Sequence, residues 1–101
     1  MQIDHVQLAA PPGCETKARR FFGSLLGVRE LEKPEPLGSR GGGWFQSGSA
    51  IVHVGVETDF RAQRKAHPAF VVDDLESLAR QLRSHGCDVL WDEALPDRKR
   101  F

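Results

Sequence analysis

The stretch HPAFVVDDLESLARQL, residues 67–82, predicts a strand that passes directly into a helix. Its first part is a short apolar run, which is typical of a strand, and Asp73 with Glu76 has the spacing of a helix N-terminal capping box. Gly86 ends the helix, and CDVLW, residues 87–91, predicts another strand. The apolar residues of the helix recur at helical spacing and form one buried stripe: Leu75, Leu78, Ala79 and Leu82.

The first half of the chain begins with the same order of elements. IDHVQLAA, residues 3–10, alternates as a strand does, and Pro11-Pro12-Gly13 stops it. CETKARRFFGSLLG, residues 14–27, then has helical spacing of its apolar positions and ends on Gly27. Aligning His5 with His67 superposes the two strand–helix pairs, so we expect an internal structural repeat. The helix stripe consists of Ala18, Phe21, Phe22, Leu25 and Leu26.

Three further predicted strands separate the two helices, and the start of another follows the second helix. VRELEK, residues 28–33, predicts one strand, and GWFQSGSAIVHVGVE, residues 43–57, predicts a hairpin with its turn at Ser47-Gly48-Ser49. RKRF, residues 98–101, begins a strand that the sequence does not complete. The sequence therefore predicts a single α+β domain over residues 1–101, with a first module at about 1–58 and a second, incomplete one at about 66–101.

The charge balance narrows the class of partner. Fourteen Lys and Arg residues against fourteen Asp and Glu residues leave the chain near neutrality, which argues against nucleic acid and anionic membranes as partners. No apolar run is long enough to span a bilayer and no leader segment is evident, so we expect a cytoplasmic protein whose partners are small molecules or other proteins. Cys14 and Cys87 lie far apart without a paired motif and are interpreted as reduced thiols.

Three histidines share one property that points to a metal. His5, His53 and His67 each have the parity opposite the bulky apolar residues of their predicted strand, so they should leave the sheet on the face away from the helices. Three converging neutral imidazoles with an open coordination position could hold a catalytic divalent ion. The alternative is that each of these histidines is not a metal ligand but a hydrogen-bonded or half-exposed residue of its strand. His85, in the last turn of the second helix, is better explained by the helix dipole.

Other residues are candidates for the same site or for another one. Gly55 and Ala69 should leave room for a ligand, and Gln7, Trp44 and Gln46 are expected to line it, with a core position as the alternative for Trp44. The remaining candidates have simpler explanations. These are the Cys14 thiol at a helix start, the Gly41–Gly43 run as a flexible loop rather than a phosphate cradle, and Arg98–Arg100 as a solvated strand edge.

The chain resembles small glyoxalase-like members of the vicinal oxygen chelate superfamily, which includes glyoxalases, bleomycin and fosfomycin resistance proteins and extradiol dioxygenases. The resemblance extends over almost the whole chain. It is carried by DHVQLAA, ARRFFGSLLGVRE, AIVHVGVE, HPAFVVDDLESLARQLRSHGCDVLWDEALP and the closing RKRF. It implies paired βαβββ modules whose curved mixed or antiparallel sheet forms a cup, with the second module about one strand and a turn short.

The same resemblance implies a function and its alternatives. His5, His53 and His67 match three metal ligands of the family, and the fourth, usually a glutamate in a final strand, has no counterpart in this sequence. Zn, Ni, Mn or Fe would then support a lyase, isomerase or dioxygenase acting on a small oxygen-bearing molecule, although weak metal binding is expected without the fourth ligand. The alternatives are a metal-free, ligand-sequestering protein of the bleomycin-resistance kind and an inactive remnant. The family also implies a homodimer, and the catalytic residues stay unassigned.

Overall fold

A computed structural model describes all residues of the chain, Met1–Phe101. The chain divides into two compact units, Met1–Pro68 and Ala69–Phe101. Neither unit contains a helix with the length and hydrophobicity needed to cross a lipid bilayer.

The first unit is built on an open sheet of four strands in the order β1-β4-β3-β2. The N-terminal strand pairs with β4 in parallel, whereas β4 with β3 and β3 with β2 are antiparallel. Gly48, with φ of 55°, lies in the predicted hairpin turn between β3 and β4. The α+β class and the predicted strand–helix–three-strand order of this half are therefore confirmed. The strands are β1 (Val6–Ala10), β2 (Arg29–Leu31), β3 (Gly43–Ser47) and β4 (Ala50–Val56).

The helix of the first unit is wider than the sequence pattern indicates. It begins as α1 (Glu15–Ala18) and continues as a π-helix over Arg19–Leu25, where the Leu26 N–H donates to the Phe21 carbonyl at 3.0 Å. A π-turn advances each side chain by a smaller angle than an α-turn does, which rotates the later residues relative to a 3.6-residue stripe. Phe21, predicted to be buried, is consequently 38% exposed.

The helix packs against one face of the sheet and forms the core with it. Phe45 of β3 is 1% exposed, and its ring stacks on that of Phe22 with centroids 4.8 Å apart. Leu8 and Val56 pack against the margin of this cluster. The buried members all come from the helix and from the strand positions facing it: Cys14, Ala18, Phe22, Phe45, Val52 and Val54.

The loop that precedes β3 is fixed to the helix start. The Gly42 N–H donates to Glu15 Oε1 at 2.8 Å, and Lys33 Nζ donates to the Gly41 carbonyl. Gly42 has a φ of 75°, and a Cβ there would lie 2.0 Å from the Val54 carbonyl oxygen. Only glycine therefore fits where this loop crosses β4.

The second unit contains one helix, α2 (Leu75–Ser84), with the predicted residues Ala79 and Leu82 buried. Its N-cap is Asp74, whose side chain accepts the Ser77 N–H at 2.9 Å, so the capping-box assignment to Asp73 was wrong by one residue. Gly86 has a φ of 81° and ends the helix as predicted.

The strands predicted on either side of α2 are not formed. Residues 69–74 and 87–91 contain no strand, and neither do residues 98–101. The second half therefore shares only a helix with the first half, and the strands of the expected repeat are absent from it. A local apolar run can indicate a strand, but a strand exists only where its backbone has a hydrogen-bonding partner, which sequence periodicity does not report.

A candidate ligand site on the histidine face

The face of the sheet opposite the helix carries the polar side chains and is called the histidine face here. Its members are positions that alternate with the core positions in β1, β3 and β4. In β4, half-buried His53 lies between buried Val52 and Val54, and in β3, Trp44 alternates with Phe45. The alternation predicted from the sequence is therefore confirmed for these strands. The histidine face is formed by Gln7, Trp44, Gln46 and His53, with His5 immediately before β1.

Three rings stack in a row across this face. The His5 and His53 ring centroids lie 4.0 Å apart with planes 19° from parallel, and His53 and Trp44 lie 4.0 Å apart with planes 4° from parallel. Trp44 is the direct cross-strand partner of His53, whereas the direct partner of His53 on β1 is Gln7. Because β4 lies between β1 and β3, the imidazole of His53 is the middle ring of the row.

The environment of His53 favours its neutral form. Partial burial lowers the pKa of the His53 imidazole, and the charge of neighbouring His5 lowers it further, although Asp4 acts in the opposite direction. With both ring faces covered, the nitrogens at the ring edge are left for polar contacts. A neutral imidazole offers one donor and one acceptor there.

The other three histidines each have a hydrogen-bonding partner close in sequence. His5 Nδ1 lies 2.8 Å from Asp4 Oδ2, and His67 Nδ1 lies 2.8 Å from the Lys65 carbonyl oxygen. His85 Nδ1 lies 2.8 Å from the Gln81 carbonyl oxygen, as expected for a residue at a helix end. No hydrogen bond within the chain engages the ring nitrogens of His53. His53 is therefore the one histidine for which neither ring nitrogen has a hydrogen-bonding partner within the chain.

The two glutamines expected to line a ligand differ in their availability. Gln46 is used within the protein, since its Oε1 accepts from Arg29 Nη2 and its Nε2 donates to the Gly48 carbonyl, each at 3.1 Å. Gln7 lies over Gly55, where an added Cβ would come within 2.8 Å of Gln7 Nε2. The space predicted above Gly55 is thus taken by the amide of Gln7, which places a polar group beside His53.

The donors on this face do not fit a divalent metal in the arrangement found. His5 and His53 are brought together, but their stacked planes direct the in-plane lone pairs side by side rather than toward one point. His67 is exposed and does not join them, and no group of three or more His, Cys, Asp or Glu side chains is suitably placed for a metal. Zinc sites need at least three such ligands at about 2.0–2.3 Å.

The remaining candidates have structural roles. Burial raises the pKa of the Cys14 thiol and the Glu15 carboxylate raises it further, so Cys14 is not an activated nucleophile. Gly41 and Gly42 belong to the fixed loop described above. In the basic run, Lys99 pairs with Glu76 and Arg100 pairs with Asp92, each at 2.7 Å.

Sequence reasoning missed the ring stack itself. Strand parity predicted that Trp44 and His53 share a face, but not that their rings lie in contact. The signal was present in the hairpin, because a turn at Gly48 fixes the register that places Trp44 opposite His53.

Comparison with known proteins supports the fold. No protein-family profile matches the chain, and no curated protein matches it either. Among solved structures, the chain is similar to a crystal structure from Bacillus anthracis of a protein assigned to the glyoxalase family. The two are 46% identical with a TM-score of 0.89, over 96% of this chain and 80% of the other. Identity at this level over nearly the whole chain shows common ancestry as well as a common fold, and the chain therefore belongs to the glyoxalase family.

Proposed function

We propose that this protein binds a small oxygen-bearing molecule on the histidine face, with His53 as the main polar contact. The observation that carries the proposal is that His53 alone among the four histidines has no hydrogen-bonding partner while both faces of its ring are packed. A neutral, oriented imidazole whose nitrogens are free is suited to a carbonyl or hydroxyl group.

Gln7 supports this assignment as a second polar contact. Its amide lies beside His53 across the β1–β4 pair and has both a donor and an acceptor. A ligand with two neighbouring oxygens could then accept from one group and donate to the other. Trp44 acts through His53, since it holds the imidazole plane rather than offering a polar atom.

The test compares binding in variants that separate the ring from its nitrogens. Glyoxylate, lactate and catechol are titrated into the chain and followed by amide and imidazole NMR shifts. His53→Phe keeps a flat ring in the stack but removes both nitrogens, and should lose the binding, whereas His85→Gln should retain it. Equal binding by wild type and His53→Phe would contradict the proposal.

A second candidate is the metal-dependent function, and one observation favours it. The Nδ1 atoms of His5 and His67 face a carboxylate and a carbonyl oxygen, respectively, which leaves Nε2 of each as the free lone pair. Histidines that ligate metals have this arrangement of their second nitrogen. Side-chain and loop movement would be required to bring a third donor to His5 and His53.

Calorimetric titration with Zn²⁺, Ni²⁺, Mn²⁺ and Fe²⁺ tests the second candidate separately. Stoichiometric binding that is lost in His5→Phe, His53→Phe and His67→Ala would support it, and binding indifferent to all three would exclude this set of ligands. A chain that binds neither metal nor the small oxygen-bearing probes would fit the inactive remnant. The homodimer implied by the family resemblance and the cytoplasmic location expected from the sequence are also part of this proposal. Sedimentation measurements test the homodimer.

A further inference from the structure

A cleft opens on the helix side of the sheet, away from the histidine face. It has a volume of about 330 Å³ and lies between the C-terminal part of β1, the loop Pro11–Gly13 and the start of the helix. Clefts of about 300–1,000 Å³ accommodate small organic ligands. Its apolar floor consists of Leu8, Ala10, Ala18, Phe22 and Val54.

Two backbone carbonyls around the floor already accept hydrogen bonds. The Ala10 carbonyl accepts the Glu57 N–H and the Cys14 carbonyl accepts the Ala18 N–H, each at 2.8 Å. Pro11 and Pro12 have no N–H to offer. Burial raises the pKa of the Cys14 thiol, which keeps that side chain neutral at pH 7. A ligand in the cleft would therefore meet a surface suited to an apolar body.

One lining residue is charged, and it defines the other end of the ligand. Lys17 lines the cleft, is exposed, and takes part in no salt bridge. No acidic residue lines the cleft. An ammonium group at the edge of an apolar cleft complements a molecule with an apolar body and a single anionic head.

We propose that this cleft binds a small amphipathic carboxylate, with the apolar body on Leu8, Phe22 and Val54 and the carboxylate at Lys17. The cleft and the histidine face lie on opposite sides of the sheet and share no residue named for either site. This proposal is therefore independent of the function proposed above.

Octanoate is the probe, titrated into the full chain and followed by calorimetry and by the amide shift of Gly13. Binding should be about two- to fivefold weaker in Lys17→Gln, the range for one partly exposed ion pair. It should be lost in Ala10→Leu, which fills the floor, and it should be unchanged in Lys65→Gln, a matched change of an exposed lysine outside the cleft.

Two chemical controls decide the class of ligand. Acetate lacks the apolar body and 1-octanol lacks the charge, so each should bind more weakly than octanoate. Binding of 1-octanol as tight as that of octanoate would overturn the carboxylate assignment. No octanoate binding to the folded wild-type chain, or equal binding to Ala10→Leu with its fold verified by circular dichroism, would overturn the site.

Discussion

Trp44 and His53 are direct cross-strand partners whose ring planes lie within 4° of parallel. The indole thus holds one face of the imidazole while His5 covers the other. Aromatic pairs of this kind contribute roughly 0.5–1.5 kcal/mol beyond their burial. The contact fixes the direction in which the His53 nitrogens point, which is the property a binding site requires.

The first prediction concerns pH. Because the pKa of His53 is lowered in the folded chain, the unfolded chain binds a proton more readily below about pH 6.5, its ordinary value. The free energy of unfolding should therefore fall as pH decreases from about 6.5 through the folded pKa. Urea unfolding between pH 7.5 and 5 should show a smaller decrease for His53→Phe than for wild type. His85→Gln is the control and should behave as wild type, and an equal decrease in all three proteins would contradict the prediction.

The second prediction concerns the loop before β3. Gly42→Ala should destabilise the chain more than Gly48→Ala, although both residues have positive φ. Both variants lose about 1–2 kcal/mol to backbone strain. The Cβ at Gly42 also meets the Val54 carbonyl, whereas the Cβ at Gly48 has open space, so about 1–3 kcal/mol more is expected at Gly42. Equal midpoints of thermal unfolding for the two variants would show that the loop does not cross β4 closely.

The third prediction concerns the start of α2. Asp74→Ala should cost about 1 kcal/mol in stability, because the Ser77 N–H loses its acceptor. Asp73→Ala changes the adjacent residue, which is not the N-cap, and should cost much less. Amide hydrogen exchange at Ser77 gives a local measurement, with faster exchange expected in the first variant only. If Asp73→Ala destabilised the chain more than Asp74→Ala, Asp73 would be the N-cap and the predicted capping box would be correct.

The fourth prediction compares Phe45 of β3, at the centre of the core, with Phe21 of the π-helix, at its exposed margin. Phe45→Ala, at the centre of the core, should cost about 3–5 kcal/mol, and Phe45→Leu should cost less. Phe21→Ala should cost under about 1.5 kcal/mol, because its ring remains 38% exposed. Chemical denaturation measures all three. If Phe21→Ala cost as much stability as Phe45→Ala, the Phe21 ring would be buried, as the stripe of an ordinary α-helix predicts.

Much of the first unit could be predicted from the sequence, because a strand alternates its side chains with a period of two. That rule placed His53 and the apolar residues of its strand on opposite faces, and the predicted turn at Gly48 fixes the register of β3 with β4. The helix stripe was right for Phe22 and wrong for Phe21, since the hydrophobic pattern of an α-helix also fits a helix that widens by one residue.

The prediction that His67 faces the other histidines depended on a strand that does not form. Parity assigns a side chain to a face only where the backbone is in a sheet, and residues 67–72 are not. The two aspartates before α2 show a related limit. Both Asp73 and Asp74 are suitable N-cap residues, and the choice between them depends on one hydrogen bond that local sequence does not determine.

The parallel pairing of β1 with β4 sets the order in which the site can assemble. His5 immediately precedes the first strand of the unit and His53 lies in the last, so their contact closes the longest loop within the sheet. Closing this loop costs chain entropy before the contacts between the strands form. Long-range pairings of this kind therefore form slowly. Detachment of the N-terminal strand would dismantle the ring row while leaving the β3–β4 hairpin and its Trp44–His53 pair in place. The complete ring row is therefore present only when the N-terminal strand is paired with β4.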